Sequence, residues 1–278
     1  MIVGIVGQGF VGSALREGLK NFYPVMTYDI DKTKHVTSTH ESLCKNSDII
    51  FVCIPTPMKK SGECDTRLLE GVVKRIDEEC FAVDHRPTIV IKSTITPGTT
   101  NRIDKNTGLN VCFSPEFLTE ANSFEDFKNQ TRIIIGGKGA RKVKSMFRKP
   151  FPDIPIVVTK SETAEMVKYF TNCFLASKVT FANQMFNICQ SSNIDYDKVC
   201  EYALLDKRIG KTHLAVPGPD GDLGFGGHCF PKDLAAMKYF GNQNETSTSF
   251  LEQVENSNLE YRENKDWLKM TGRAVSED

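Results

Sequence analysis

The sequence predicts an α/β protein: a Rossmann-type, doubly wound parallel sheet followed by an all-α dimerisation domain with a long central helix. Three observations carry that expectation. Short apolar runs alternate with polar segments of helical length through the first half of the 278 residues. A glycine-rich turn, Gly7-Gln8-Gly9-Phe10-Val11-Gly12, follows the first run. Beyond Thr159 the texture changes, and neither Gly nor Pro interrupts the chain from Ser161 to Ser191.

The strand-like runs are Met1–Val6, Val25–Tyr28, Asp48–Ile54, Thr88–Lys92, Asn110–Phe113, Arg132–Ile135 and Ile154–Val158. Segments of helical length, such as Ser13–Asn21 and Thr66–Cys80, lie between them, which is the pattern of parallel strands joined by crossovers. This assigns 1–159 to a dinucleotide-binding domain. In Ser161–Ser191, Thr163, Met166, Val167, Phe170, Phe174 and Val179 fall near helical spacing. A helix of that length is too long for a crossover and suits a spine between domains or across a dimer, so 160–278 reads as a helical domain. Asp195–Leu205 is a shorter helix and Gly210–Gly227 an ordered Gly/Pro-rich loop. Phe230–Phe240 is a further helix, Asn242–Thr248 a turn, Phe250–Met270 a last helix, and Val275–Asp278 a frayed tail.

Composition excludes several classes. Lys+Arg and Asp+Glu both count 35, so no net charge draws the chain to nucleic acid or an anionic membrane, and neither is expected as a partner. No apolar stretch approaches the ~18–20 residues of a membrane span, and no signal-peptide pattern opens the chain. Nine cysteines, an odd number, read as mostly packing thiols in a reducing cytoplasm.

The glycine turn has a mechanical reading. Gly7 permits the tight turn, Gly9 lets backbone approach a pyrophosphate, and Gly12 allows close helix–strand packing, with Phe10 and Val11 in the cradle. A helix N-terminus then offers N–H groups to phosphate. Asp29 ends the second strand-like run, where a carboxylate accepts both ribose hydroxyls and repels a 2′-phosphate. NAD is therefore the expected cofactor. Lys34 is placed to reach the adenosine ribose, or is a solvated surface lysine.

Further along, Gly224-Phe225-Gly226-Gly227-His228-Cys229-Phe230-Pro231-Lys232-Asp233 resembles the catalytic cysteine motif of the UDP-glucose/GDP-mannose dehydrogenase family. Other blocks resemble that family in the same order: Ile54-Pro55-Thr56-Pro57, Lys92–Thr99, Ser114–Glu120, Ala164–Asn172 and Asp206–Gly210. The resemblance covers residues 1 to about 240. It implies NAD-dependent oxidation of a nucleotide-sugar primary alcohol to a carboxylate, with UDP-glucose to UDP-glucuronate the leading case.

That reaction needs two hydride losses and one hydrolysis, and a thiol lets one site do all three: a thiolate holds the aldehyde as a thiohemiacetal, and the second hydride loss leaves a thioester for water to cleave. Cys229 sits just before a helix, whose N-terminal field favours a thiolate, with Lys232 as a nearby positive charge. Lys168 and Asn172, four apart, share a helix face. Spacing alone makes them an ordinary solvated face, whereas the resemblance implies that they bind the oxygens of the reacting carbon. The resemblance further implies that Asp233 orients Lys168 or activates water together with Thr94, and that Glu120 assists with water or a proton. Pro55, Thr56, Thr94 and Glu120 are implied cofactor contacts. Glu116, Phe117, Leu118, Lys168, Asn172, Phe225 and Gly226 are implied substrate contacts, the backbone of Phe117 and Leu118 holding sugar hydroxyls. Arg208 is implied to cross a dimer interface; alternatively it is a loop arginine pairing with Asp206.

No metal is expected, because the histidines do not fall at metal-ligand spacing with cysteines as a zinc alcohol dehydrogenase would require. Family members are expected to carry a third, nucleotide-binding α/β domain. The sequence ends at Asp278 without one, and a separate polypeptide supplying a UDP-binding domain is an expected partner. Two other readings stand beside this one. A two-electron β-hydroxyacid dehydrogenase would share the glycine turn and Lys-x-x-x-Asn but needs no Cys229. A truncated, non-catalytic NAD-binding module would need none of Cys229, Lys168, Asn172 and Asp233.

Overall fold

Seven four- or five-residue strands form one sheet: β1 (Val3–Val6), β2 (Val25–Tyr28), β3 (Ile49–Val52), β4 (Thr88–Ile91), β5 (Asn110–Phe113), β6 (Ile133–Gly137) and β7 (Ile156–Thr159). In this computed structural model, which describes residues 1–277, the strand order is β2-β1-β3-β4-β5-β6-β7. The chain divides into two compact units, Met1–Thr56 with Asp65–Lys168, and Pro57–Cys64 with the residues from Tyr169 onward. The division between Lys168 and Tyr169 falls inside a helix.

In the first unit, α1 (Phe10–Leu19), α2 (His40–Asn46), α3 (Arg67–Phe81), α4 (Thr99–Lys105), α5 (Ser123–Lys128) and α6 (Ala140–Arg148) flank the sheet. Alternate strand residues sort between two cores. Val3, Ile5, Phe51, Val90 and Cys112 pack with Leu15 and Leu19 of α1, Phe127 of α5 and Phe147 of α6. Val6, Ile50, Val52, Ile89, Ile91 and Phe113 pack with Leu43 of α2, Val73 and Ile76 of α3 and Ile103 of α4. Strands buried on both faces read as continuous apolar runs, which is why their positions show in the sequence.

The expected all-parallel sheet is corrected at one pairing: β5 and β6 are antiparallel, while the other five pairings are parallel. A parallel neighbour requires the chain to cross back along the sheet. Here α5 instead lies against α1, and the chain re-enters at the end where β5 leaves. The first helix also begins at Phe10, earlier than the Ser13 expected.

The second unit contains the rest of α7 (Ser161–Ser191), then α8 (Tyr196–Ala203), α9 (Cys229–Gln243), α10 (Ser249–Tyr261) and a 3-10 turn at Asp266–Lys269. The expected helix to Met270 stops at Tyr261 for an electrostatic reason. Arg262 turns extended, and its 1% exposed side chain reaches Asp220 at 2.8 Å, Asp266 at 3.3 Å and Asp222 at 3.5 Å. The tail is not frayed through the described residues: Met58 N–H donates to Ala274 O and Ser276 N–H to Met58 O, each at 2.8 Å. Asp278 lies outside the described residues.

Within the first unit, the buried Glu165 carboxylate accepts from Gly98 N–H at 2.7 Å, Thr100 N–H at 2.8 Å and Thr100 Oγ1 at 2.6 Å, capping α4. Glu165→Ala strands these buried donors. It is expected to cost about 3 kcal/mol and to lower Tm by roughly 6–12 °C in a thermal melt.

Candidate active site

The glycine turn follows β1 beside the place where strand order reverses, between β1 and β3. Gly7 has φ +91°, and a Cβ there would fall 2.3 Å from Cys53 O. A Cβ on Gly12 would fall 1.9 Å from Gly7 O, so this glycine packs the loop against its own helix start. A Cβ on Gly9 would meet nothing within 4 Å. That open face lies at the N-cap of α1, where no side chain caps the helix and no acidic residue occupies the first turn, including Phe10 and Val11. Such a cradle fits a pyrophosphate. Asp29 accepts from Gln8 N–H at 2.6 Å and Asp31 N–H at 2.9 Å, so the carboxylate expected to take the ribose also anchors the turn. Lys34 is exposed, as is Pro55. Thr56 Oγ1 donates to Thr94 O at 2.6 Å, tying the implied cofactor loop to the turn after β4.

Beyond β5 lies a buried charge cluster. Lys168 Nζ donates to Glu116 O at 2.7 Å and to Glu116 Oε1 at 2.8 Å. Burial pushes the Glu116 carboxyl up, but Lys168, the Leu118 N–H and Lys92 together bring it below its ordinary value. Leu118 N–H donates to Glu116 Oε2 at 2.8 Å, so that amide, expected to hold a sugar hydroxyl, is engaged internally. Phe117 lies beneath the Arg132 guanidinium at 4.3 Å from the ring centroid. Lys92, which sequence reading left without a role, donates to Pro115 O at 3.0 Å. Its pKa falls to about 8 chiefly through burial, against the opposing pull of Cys53 and Glu116. Val11, Lys92, Glu116, Phe117 and Arg132 line a cavity of about 270 Å³. Glu120, by contrast, is exposed.

In the second unit Cys229 is half-buried and is the first residue of α9, where no side chain caps the helix and no acidic residue sits in the first turn. Asp233, one turn on, is buried; it accepts from Asn172 Nδ2 at 2.5 Å and pairs with Lys232. Burial alone would lower the Lys232 pKa, but Asp233, with Cys229 and Cys64, raises it above the ordinary lysine value. By reciprocity, the Lys232 charge favours a Cys229 thiolate.

Sequence reading missed the groups that shape the loop ahead of the cysteine. Asn258 brackets Phe225, accepting its N–H at 2.7 Å and donating to its O at 3.0 Å. Gly224 N–H donates to Asn183 Oδ1 and Gly227 N–H to Asp266 Oδ2, both at 3.0 Å. Gly226 is small for a packing reason, since a Cβ would fall 2.3 Å from Arg262 Nη2. Phe225 is buried. The glycine-rich composition signals such close approach, but the partners lie too far along the chain to be inferred. Arg208 is 89% exposed and pairs bidentately with Asp206, the local alternative read for it. The expectation about histidine and cysteine spacing is corrected too: His40 and Cys44 lie four apart on α2, and with Glu79 their donor atoms fall within 4.8 Å of one another. Among the described residues, no helix is long and apolar enough to cross a membrane.

Comparison with known proteins gives concordant matches. The NAD binding domain of the UDP-glucose/GDP-mannose dehydrogenase family matches residues 23–150, and the central domain of that family matches residues 162–260. UDP-glucose 6-dehydrogenase of Rickettsia bellii is 36% identical over 259 residues, covering 87% of this chain and 58% of the relative. The chain therefore spans somewhat over half the length of that relative. A UDP-glucose dehydrogenase structure from Pyrobaculum islandicum superposes with TM-score 0.84 at 28% identity, covering 93% of this chain and 68% of the other. A GDP-mannose dehydrogenase from Pseudomonas aeruginosa gives TM-score 0.68 at 26% identity, covering 94% and 69%.

Two of the glycines give opposite expectations. Gly9→Ala is expected to melt like the wild type but to weaken NAD binding on the order of tenfold, about 1.4 kcal/mol, in a fluorescence titration. Gly12→Ala is expected to lower Tm as well, because its Cβ meets backbone. Lys92 predicts a pH effect. Its folded pKa of about 8 lies below the ordinary 10.5, so between those values the unfolded chain binds more protons and stability rises with pH. Relative to Lys92→Met, the wild type is expected to gain about 3 kcal/mol across that window in urea unfolding; equal slopes contradict the assignment.

Proposed function

The chain belongs to the UDP-glucose/GDP-mannose dehydrogenase family, and from that premise we propose that it oxidises a nucleotide-sugar primary alcohol to a carboxylate in two NAD-dependent steps. UDP-glucose to UDP-glucuronate is the leading case. One observation carries the reading: Cys229 opens α9 at an uncapped N-terminus with the Lys232 ammonium close enough for their charges to interact. That environment favours a thiolate, the reactive form of the side chain.

Bound NAD supplies the hydride acceptor. In the first oxidation the alcohol loses a hydride and its hydroxyl proton to become an aldehyde. The Cys229 thiolate adds to the aldehyde carbon, giving a thiohemiacetal whose oxygen carries the charge. Lys168 and Asn172 supply an ammonium and an amide donor for that oxygen. The second hydride loss leaves a thioester on Cys229. Water then attacks the acyl carbon, the C–S bond breaks, and the thiolate returns as the carboxylate leaves. Asp233 holds Asn172 in place through their 2.5 Å hydrogen bond. The water is activated by Asp233 with Thr94, or by Glu120. Glu116, Phe117 and Leu118 with Phe225 and Gly226 form the proposed sugar-contacting segments.

One partner belongs to the same proposal. A second copy of this chain packs along α7, whose Phe170, Phe174, Phe181 and Ile188 are exposed. They lie on one helical face, and Phe170 and Phe174 stack at 6.4 Å.

Purified protein given NAD and UDP-glucose is expected to form two NADH per sugar oxidised. One NADH with release of an oxidised two-electron product overturns the four-electron reading in favour of a β-hydroxyacid-type reaction. Cys229→Ser is expected to stall after the first oxidation, and acid formation at the wild-type rate contradicts the thioester. Phe174→Glu is expected to convert a dimer to a monomer in sedimentation velocity, with unchanged helicity by circular dichroism.

A further inference from the structure

The cluster at His40 lies outside everything used above, and its side chains are of a type that proteins use for one purpose when they converge. His40 and Cys44 are presented four residues apart on one face of α2, and Glu79 and Cys80 come from the last turns of α3. His40, Cys44 and Cys80 are buried, and Glu79 is largely so. His40 Nδ1 lies 3.7 Å from Cys44 Sγ and 2.7 Å from Glu79 Oε2. The Cys80 thiol donates to Cys44 O at 3.5 Å and lies outside the three donors that converge within 4.8 Å.

We propose that His40, Cys44 and Glu79 occupy three corners of a tetrahedral site for one thiophilic divalent cation, with Zn²⁺ the best match. Zn–N and Zn–S distances of about 2.0 and 2.3 Å give a tetrahedral N···S edge of about 3.6 Å, against the 3.7 Å found between His40 Nδ1 and Cys44 Sγ. The corresponding N···O edge is about 3.3 Å, so Glu79 Oε2 and His40 Nδ1 would part modestly as the cation replaces the proton they share at 2.7 Å. Arg75 Nε holds the other oxygen, Glu79 Oε1, at 3.0 Å and leaves Oε2 facing the histidine. Outer contacts of this kind orient metal ligands. Binding releases the Cys44 thiol proton to solvent, so affinity rises with pH. The donor mixture of nitrogen, sulfur and one carboxylate oxygen selects Zn²⁺ over Mg²⁺ or Ca²⁺.

The consequence is structural. α2 has only seven residues, marginal for a helix without tertiary support. A cation shared with α3 clamps it against the sheet next to Tyr28, whose ring meets that of His40 edge-on at 5.0 Å. Tyr28 directly precedes Asp29 in the chain.

The test reads metal and not activity. The full chain carrying Cys229→Ala, which removes the thiol proposed as nucleophile, is titrated with Co²⁺. One equivalent is expected to give thiolate-to-cobalt charge-transfer absorption and the d–d bands of a tetrahedral site, both abolished by one equivalent of Zn²⁺. That result supports the site by itself, since among the described residues no second group of three such donors converges. His40→Gln and Cys44→Ala are each expected to remove the bands. Glu79→Gln, at the more accessible ligand, is expected to weaken Zn²⁺ binding at least tenfold in competition with a chelator. No charge-transfer band in the Cys229→Ala chain overturns the proposal whatever the other variants do, as do bands that survive His40→Gln or an affinity unmoved by Glu79→Gln.

Discussion

Lys168 and Glu116 are both buried and meet at 2.8 Å, and much of the first unit's site follows from that contact. A buried ammonium or carboxylate carries a desolvation cost of several kcal/mol unless it is paired and hydrogen-bonded. Each partner therefore fixes the other. Glu116 uses one oxygen on Lys168 and the other on Leu118 N–H, which sets the backbone leaving β5, while its own carbonyl takes a second Lys168 proton. Lys92 tethers the residue before it through Pro115 O. The start of α7 and the loop after β5 are thus held in one register. The same physics recurs in the second unit, where Asp233 is held between Asn172 and Lys232 one turn from Cys229.

Each unit also shows how a glycine loop is specified. In the first, Gly7 and Gly12 are small because backbone stands where a Cβ would be, whereas Gly9 is small beside open space. Only the second situation points to a ligand. In the cysteine loop Gly224 and Gly226 are small for a third reason, crowded by the side chains of Asn258 and of Arg262 with Asp266. Their task is to let Arg262 lie beneath the loop, and the aspartates around that arginine compensate its burial.

These contrasts explain what could be read from the sequence. The central strands were legible because burial on both faces demands unbroken apolar runs, the partly exposed edge strands β2 and β7 because they too are short β-type runs, and α7 because nothing interrupts it. The cofactor turn was legible because close backbone approach demands glycines at fixed spacing, whereas the cysteine block was read only through its resemblance to a family motif. Strand direction at β6 was not legible: Ile133–Gly137 would look the same parallel or antiparallel, and the choice rests on α5 packing against α1. The end of α10 was hidden because Tyr261 and Arg262 are helix-compatible, and only the ion pairs to Asp220 and Asp266 pull Arg262 out. The roles of Lys92 and Asn258 were not legible, since burial of a polar side chain is decided by partners distant in sequence. His40 and Cys44 were overlooked because Glu79, which completes their cluster, lies on α3.

The account centres on Cys229 as a nucleophile that carries the sugar between two oxidations. Acid quenching during turnover with UDP-glucose and NAD, followed by mass spectrometry of the peptide containing Cys229, examines this directly. A hexuronyl-nucleotide acyl adduct on Cys229, formed and lost at rates matching carboxylate production, is the expected result. Carboxylate production with Cys229 unmodified throughout would contradict it.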